Sequence, residues 1–178
     1  MFQRFQIGRI ALLAILLFTF SCKNETSTPD ESVSVSSQDE NKISSKDIEA
    51  LDYTEYVLSN SAENVTGDWL KFQELNTYMD LLKRADYSFF SEDEELLKTF
   101  VGELTESLPE RLNEASIIAR LLALETNMYK LHNESIINAN DKPELLNAIK
   151  EVLVGYTNLV FQINKKLEKD DLRIERPQ

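Results

Sequence analysis

Residues 109–133 read PERLNEASIIARLLALETNMYKLHN, and apolar side chains recur along this stretch at intervals of three and four. Such spacing predicts an α-helix with its apolar side chains gathered on one side. Pro109 suits the first turn, because proline lacks the N–H that a first turn leaves unpaired anyway. There are two apolar rows: Leu112, Ala115, Ala119, Leu122, Thr126 and Tyr129, and then Ile118, Leu121, Leu124 and Met128. We therefore expect this helix to be the central one of its domain.

Four segments around this stretch share its periodicity and predict further helices. They cover residues 46–59, the segment from Thr66 to residue 87, the segment from Ser91 to the break at Pro109, and the segment from Asp141 to residue 167. The side chains expected to face inward are Ile48, Leu51 and Val57 in the first, Trp69, Phe72, Leu75, Met79 and Leu82 in the second, Leu97, Phe100, Val101 and Leu104 in the third, and Leu145, Ile149, Val152, Tyr156, Leu159, Ile163 and Leu167 in the last.

Three of these helices begin with side chains that can accept hydrogen bonds from the first backbone N–H groups. Thr66 is the expected cap of the second helix. Ser91 with Glu94, and Asp141 with Glu144, have the spacing of a capping box, in which two side chains satisfy each other's backbone donors. The acidic run that follows Ser91 is therefore interpreted as a helix start and not as a cation site.

The sequence predicts an all-α fold. No short segment alternates strictly between apolar and polar residues, and no Asn-Gly or Asp-Gly turn joins two apolar runs. Short connections make successive helices antiparallel neighbours, which gives an up-and-down antiparallel helical bundle of four long helices plus one shorter N-terminal helix. The bundle domain is expected at residues 45–170. The charged end from residue 168 is expected to fray, leaving residues 171–178 as a tail.

The first 22 residues have the three parts of a secretion signal. Arg4 and Arg9 give a positive start, and residues 10–20 form an uncharged apolar run. This run is shorter than the roughly 20 residues that a membrane-spanning helix needs. Ser21 and Cys22 close it, and Cys22 is the only cysteine in the chain.

The box formed by Thr19, Phe20, Ser21 and Cys22 resembles the signal peptides of bacterial lipoproteins. The resemblance implies that residues 1–21 are removed and that lipid is attached to Cys22. Lys23 and the acids after it also resemble the surface-export signals of Bacteroidota lipoproteins. We therefore expect a lipid-anchored protein of the cell envelope, at the periplasmic face or the cell surface of the outer membrane.

Residues 23–44 read KNETSTPDESVSVSSQDENKIS and contain few apolar side chains. Such a composition buries too little apolar surface to offset the entropy of ordering, so we expect residues 22–44 to be a disordered tether that begins with the lipidated cysteine. A flexible chain of this length spans about 25 Å on average. Val33 and Val35 are its main apolar side chains, and a spacer is favoured over a binding motif.

The chain carries 31 acidic residues against 19 Lys and Arg, a net charge of -12. Removal of residues 1–21 takes away Arg4 and Arg9 and no acid, so the mature chain has 17 basic and 31 acidic residues, a net charge of -14. An acidic protein repels phosphate backbones and anionic lipid headgroups. Nucleic acid is therefore not an expected partner.

No group of residues has the spacing of a known catalytic, cofactor or metal site. His132 is the only histidine and no Glu-x-x-His motif is present, which argues against a di-iron site; we expect His132 to contact carbonyl groups near a helix end. Arg120 lies among apolar residues and could hold an anion in a cleft. The favoured interpretation places it at the edge of the apolar stripe, with its guanidinium paired to a carboxylate on another helix.

Two functions remain open. The favoured one is a non-catalytic envelope lipoprotein whose helical domain binds a protein partner or acts as a scaffold, without metal or cofactor. The alternative is a carrier that holds a small hydrophobic ligand in a cavity among six aromatic side chains. These are Trp69, Phe72, Phe100, Tyr129, Tyr156 and Phe161.

Overall fold

The computed structural model describes residues 42–174, of which residues 42–172 have described side chains. This part of the chain contains seven α-helices and one 3-10 turn and no strand, which confirms the all-α prediction. The helices are α1 (Ser45–Glu49), α2 (Asn60–Thr66), α3 (Leu70–Lys83), α4 (Ser88–Ser91), α5 (Glu94–Glu106), α6 (Ala115–Ile137) and α7 (Lys142–Ile174). The 3-10 turn, Glu110–Leu112, lies between α5 and α6.

The two longest helices, α6 and α7, pack side by side and run antiparallel. Lys166 of α7 lies 3.9 Å from Glu114, next to the start of α6. Further along, the Asn127 side chain donates a 2.8 Å hydrogen bond to the backbone carbonyl of Glu151. From one contact to the next, the residue numbers rise along α6 and fall along α7, as they do in an antiparallel pair. The two contacts lie far apart, so the pairing extends over most of α6.

Gly155 of α7 lies close against α6. A Cβ atom at this position would stand 3.0 Å from the Asn127 side-chain nitrogen and 3.2 and 3.4 Å from two atoms of Leu124. Such distances leave no room for a side chain between the two helices. The missing side chain of Gly155 therefore sets how closely α6 and α7 approach each other.

The helices α3 and α5 form a second antiparallel pair. The Trp69 indole N–H, next to the start of α3, donates a 3.0 Å hydrogen bond to the Ser107 hydroxyl at the end of α5. Further along the pair, Lys71 of α3 lies 2.7 Å from Glu103 of α5. An indole N–H that is buried needs such a partner, and Trp69 is only 2% exposed.

The core includes nearly all side chains that the apolar spacing predicted to face inward in three of the helices. All inward-facing positions predicted for α3 and α5 are buried, as are those of α7 except the half-buried Tyr156. On α6 the second predicted row is confirmed for Leu121, Leu124 and Met128. Burial of these residues supplies the main favourable free energy of folding.

The middle of the other predicted row of α6 does not face the core, although Leu112 before the helix is buried and Tyr129 packs against the core. Ala119 and Thr126 are exposed, and Leu122 has 54% of its surface accessible. The buried side of α6 is instead centred on Ile117, Leu121, Leu124, Met128 and Leu131. The helix is apolar on two sides, but the described chain covers only one of them.

The prediction of a helix over residues 46–59 is wrong beyond Glu49. Ser44 caps α1, and residues 51–59 then run as an extended segment that we call the strap. Val57, which was expected to face inward, is 81% exposed. An extended strap is possible because side chains of α7 bind its backbone groups, which outweighs a weak helix propensity.

Two predicted helix starts are also wrong. Thr66 ends α2, and its hydroxyl donates a 2.9 Å hydrogen bond to the Ala62 carbonyl instead of capping α3. Asp93, not Ser91, caps α5 by accepting a 2.9 Å hydrogen bond from the Glu95 N–H. Each error is only a few residues, because several residues near a helix start can accept the same hydrogen bonds.

Helix α7 begins as expected and ends later than expected. The Asp141 carboxylate accepts a 3.3 Å hydrogen bond from the Glu144 N–H at its start. The helix then continues to Ile174, past the point where fraying was predicted. Helix α6 also departs from its predicted bounds, since Pro109 precedes the 3-10 turn and the helix proper covers Ala115–Ile137.

Two glycine-to-alanine substitutions test the close approach of α6 and α7. Gly155→Ala gains helix propensity, about 1 kcal/mol, but forces a Cβ against Leu124 and against Asn127, whose position is fixed by its hydrogen bond. Overpacking of this kind costs about 1–3 kcal/mol, so we expect a net loss of about 1 kcal/mol in the free energy of unfolding. Urea denaturation of the full chain measures it.

Gly102→Ala in α5 is the matched control, because nothing lies within 4 Å of a Cβ there. This substitution should stabilise the protein by about 0.5–1 kcal/mol. Equal stabilisation by both variants would show that the two helices have room for a side chain at Gly155.

Candidate functional site

The predicted lipidation site, Cys22, lies outside the described residues, as do the predicted signal peptide and most of the predicted tether. The described chain begins at Lys42. Ile43 is buried at 4% exposure, and Ser44 forms a capping box with Asp47, so the folded domain includes these two positions. Candidate sites within the domain are therefore sought among its clefts, its buried polar groups and its exposed apolar surface.

His132 is buried and holds α4 against α6. Its Nδ1 atom lies 3.0 Å from the backbone carbonyl of Phe90, and only 4% of the residue is exposed. Because a carbonyl oxygen only accepts, Nδ1 must carry the hydrogen. The prediction that His132 contacts a carbonyl is confirmed, but the carbonyl comes from α4 and not from the end of its own helix. Its role is structural.

Arg120 is exposed on α6 and forms no ion pair with any residue whose side chain is described. The predicted pairing with a carboxylate on another helix is therefore wrong. Arg120 instead lies exposed at the flank of α6, one residue before the buried Leu121 and outside the ion pairs of the described chain.

The six aromatic residues predicted to surround a ligand are divided among separate clusters. Trp69 stacks on Phe72 at 5.0 Å, and Phe72 in turn lies 6.4 Å from Tyr156. Phe100 belongs to a different cluster, and Phe161 lies at the surface against Tyr56. The structure thus brings three of the six together as core and does not join all of them around one cavity.

One cleft lies between the strap, α2 and the second half of α7. Its volume is about 460 Å³. The residues that line it are Val57, Leu58, Ser59, Ser61, Asn164, Glu168, Asp171 and Leu172. A second, smaller cleft of about 300 Å³ lies beside α1 and is lined in part by Tyr53, Glu55 and Lys83. Lys83 and Glu55 are ion-paired across it.

Polar side chains of α7 hold the strap that forms one wall of the larger cleft. The Tyr56 N–H donates a 2.7 Å hydrogen bond to the hydroxyl of Thr157. Two turns further along α7, the Asn164 amide accepts from the Ser59 N–H at 2.9 Å and donates to the Val57 carbonyl at 2.8 Å. Side chains of α7 thus satisfy backbone groups of the strap that no helix or sheet pairs.

Hydrogen bonds and charge fix the first part of the domain at the start of α7. The pKa of Asp47 is lowered to about 2 by hydrogen bonds from Ser44 and from Lys142. Lys142 lies 2.9 Å from the Asp47 carboxylate. Further along α7, burial raises the pKa of Tyr156 to about 12, and its hydroxyl donates to Asn76 at 2.8 Å. Neither residue has the arrangement of a catalytic group.

One surface without a partner in the described chain is the outer face of α6. We use this name for the exposed residues on the side of α6 opposite the core. They are Ala115, Ala119, Leu122, Ala123, Thr126, Lys130, Asn133, Ile136 and Ile137. Ile136 and Ile137 expose 58% and 75% of their surfaces. Only one of these nine residues is charged, and contiguous apolar surface of this kind is typical of an interaction site.

Two polar side chains of α6 are compatible with a dry contact. The Thr126 hydroxyl donates a 2.9 Å hydrogen bond to the Leu122 carbonyl of its own helix and so needs no water. The Lys130 ammonium group lies 2.8 Å from Glu151 of α7. At the edge of the face, burial raises the pKa of Tyr129, and the nearby carboxylates of Glu125 and Glu94 raise it further.

The sequence pattern assigned four of these residues to the core: Ala115, Ala119, Leu122 and Thr126. The signal was present, because a row of Ala, Leu and Thr beside a second apolar row is more than a helix needs for one buried face. The strap and its cleft were missed, since the contacts that hold it join residues about 100 positions apart in the sequence. No local sequence pattern predicts such a contact.

Comparison with known proteins finds no matching family model, no similar curated protein and no similar solved structure. Among the described residues, no helix is long and apolar enough to span a bilayer. The same residues contain no group of three or more His, Asp or Glu side chains that could hold a metal ion.

Replacement of Thr157 by valine tests how the strap is held. Valine keeps the shape of threonine but leaves the Tyr56 N–H without its acceptor, which costs about 1–3 kcal/mol where water does not replace it. We expect faster amide hydrogen exchange in residues 53–59 and a lower urea midpoint. Thr105→Val, at an exposed position of α5, is the control and should change neither.

If Thr157→Val leaves exchange in the strap at the wild-type rate, the hydrogen bond to Tyr56 does not hold it. The strap would then depend on its other contacts, which include the Asn164 hydrogen bonds, the Glu55–Lys83 ion pair and the ring contact of Tyr56 with Phe161.

Proposed function

We propose that the chain is a lipoprotein of the bacterial cell envelope, anchored through lipid on Cys22, whose helical domain is a non-catalytic interaction or scaffold module. The order of the first 22 residues carries the proposal: a positive start, an apolar run too short to span a bilayer, then Ser21 and Cys22. The outer membrane is its proposed location. Several acyl chains would hold the domain durably, because each buried methylene contributes about 0.8 kcal/mol.

The interaction role is supported by the outer face of α6. Leu122, Ile136 and Ile137 expose more than half of their surfaces on one helix of a strongly acidic chain. Exposed apolar residues gathered on one face suit contact with another protein, because their burial is favourable while charged residues would have to be desolvated. The acidic remainder of the surface keeps the domain in solution and disfavours nucleic acid.

We also propose that α3, α5, α6 and α7 form an up-and-down four-helix bundle. The antiparallel contacts of α6 with α7 and of α3 with α5 support this arrangement. The four-residue connection between α6 and α7 supports it as well, since short links join antiparallel neighbours. The short helices α1 and α2, together with the strap, then cover one side of α7.

A second candidate function is the carriage of a small hydrophobic ligand. The cleft beside the strap favours it, because its volume of about 460 Å³ lies in the range of small-molecule sites, about 300–1,000 Å³. Val57, Leu58 and Leu172 give this cleft an apolar part. The interaction role is preferred because the aromatic residues expected to line a ligand cavity belong to separate clusters.

The anchor is tested by intact-mass spectrometry of the full chain purified from bacterial membranes. We expect the protein to lack residues 1–21 and to carry a diacylglycerol thioether on Cys22. Cys22→Ala should keep residues 1–21 and carry no lipid, because the thioether needs the sulfur. Ser27→Ala, five residues further on, is the matched control and should be processed like the wild type.

A wild-type protein that retains residues 1–21, or that carries a free thiol at Cys22, contradicts the lipoprotein assignment. Radiolabelled palmitate incorporated by wild type and Ser27→Ala but not by Cys22→Ala would support it independently.

The carrier alternative predicts saturable, one-to-one binding of a fluorescent fatty acid by the purified chain. Leu172→Glu should abolish that binding, because it places a charge in the cleft at a side chain that is 59% exposed and so tolerates substitution. Leu70→Glu, at a leucine 77% exposed outside the cleft, should leave binding unchanged. The absence of saturable binding in wild type removes this alternative.

A further inference from the structure

We propose that the outer face of α6 pairs with the outer face of α6 of a second copy, antiparallel and about a two-fold axis near Thr126. The inference rests on the proposed interaction role and names its partner as another molecule of the same chain. The partner is identified by the distribution of charge, by the sizes of the facing side chains and by the position of Arg120.

Charge distribution leaves few ways for two copies to meet. Residues 42–174 contain 25 acidic and 15 basic residues, so most contacts between copies bring like charges together. The outer face of α6 avoids this, since its one charged side chain, Lys130, is already neutralised by Glu151 at 2.8 Å. In a two-fold contact the same face of each copy meets the other, so no unneutralised like charges meet at the centre of the interface.

Side-chain size along α6 favours the antiparallel direction. Small residues, Ala115 and Ala119, occupy the first turns of the face, while the bulky Ile136 and Ile137 occupy the last. With Thr126 on the axis, Ile137 of one copy lies opposite Ala115 of the other, so a large side chain meets a small one. A parallel pair would place isoleucine against isoleucine at one end and alanine against alanine at the other, which packs poorly.

The antiparallel pair also gives Arg120 a partner. With Thr126 on the axis, Arg120 is level with position 132 of the second copy, about 3 Å of helix rise from Glu134, whose carboxylate also accepts a hydrogen bond from Asn138 of its own helix. Within its own copy Arg120 forms no ion pair with a described side chain. Because the axis is two-fold, the Arg120 and Glu134 contact occurs twice, once at each end of the interface.

The contact is limited to one helix of about 35 Å from each copy, which is smaller than a standard protein interface. Pairing of free molecules is therefore weak and depends on concentration. Copies anchored to one membrane share a thin layer next to it, which raises their effective concentration and favours the pair. Dimers are thus expected on the membrane and at high concentration in detergent.

Disulfide trapping on native membranes tests the geometry. In the lipidated full chain Cys22 has no free thiol, so an introduced cysteine is the only one. Thr126→Cys should form disulfide-linked dimers at least fivefold more than the control Thr105→Cys, which lies on an exposed part of α5. Ala119→Cys and Asn133→Cys should form a mixed disulfide when expressed together and few dimers when expressed singly.

The outcomes separate the possibilities. Dimers from Ala119→Cys alone would show a parallel pair and overturn the geometry. Thr126→Cys dimers at or below the control level would overturn self-association altogether. Should Leu122→Glu lower membrane retention while no variant is trapped as a dimer, the face lies on lipid, which also overturns the proposal. Disulfide dimers of the unaltered chain would instead reveal a free Cys22 thiol and the failure of the lipoprotein proposal.

Two further variants test the interface by its chemistry. Leu122→Glu should reduce Thr126→Cys trapping at least tenfold, whereas Leu70→Glu, at another exposed leucine, should not. Arg120→Glu should lower trapping by placing like charges together, and the added change Glu134→Arg should restore it. Loss without restoration in the double variant would contradict the ion pair between copies.

Discussion

The close approach of α6 and α7 at Gly155 is the constraint on which the rest of the domain depends. With no Cβ at Gly155, Leu124 and Asn127 can lie against the backbone of α7. The Asn127 amide then reaches the Glu151 carbonyl, which fixes the register of the pair as well as its separation. Close packing of this kind stabilises a helix pair because dispersion contacts and buried apolar area both increase as the gap closes.

Helix α7 uses its other sides to position the described residues that precede α3, which are α1, the strap and α2. Lys142 holds α1 through Asp47, and Thr157 and Asn164 hold the strap by its backbone. Near the end of α7, Asp171 accepts a 3.0 Å hydrogen bond from Ser61 of α2. One side of α6 is covered by α7, and the opposite side is left to solvent or to a partner, so the same packing that builds the core determines which face is free.

Apolar spacing predicted most of the core because burial along one helix face is a local, periodic property. Trp69, Phe72 and Leu75 of α3 are examples. Apolar spacing failed where the burial of a side chain depends on residues far away in the sequence. Nothing near Val57 reveals that α7 will bind the strap. Nothing near Leu122 reveals which of two apolar rows another helix covers. His132 was expected to contact a carbonyl, but the sequence did not reveal that Phe90 supplies it. The assignment of Cys22 needs no fold, since it depends on the order of residues before the domain.

The strap has a mechanical consequence. The contacts that hold α1 and the strap follow one another along α7 in chain order, from Asp47 to Tyr56 to Ser59. A force that lifts the chain before Lys42 away from α7 would break these contacts one after another, from the start of α7 onward. The α6–α7 pair would carry little of that load until residues 43–59 had detached, so the domain would lengthen under tension before its core unfolds.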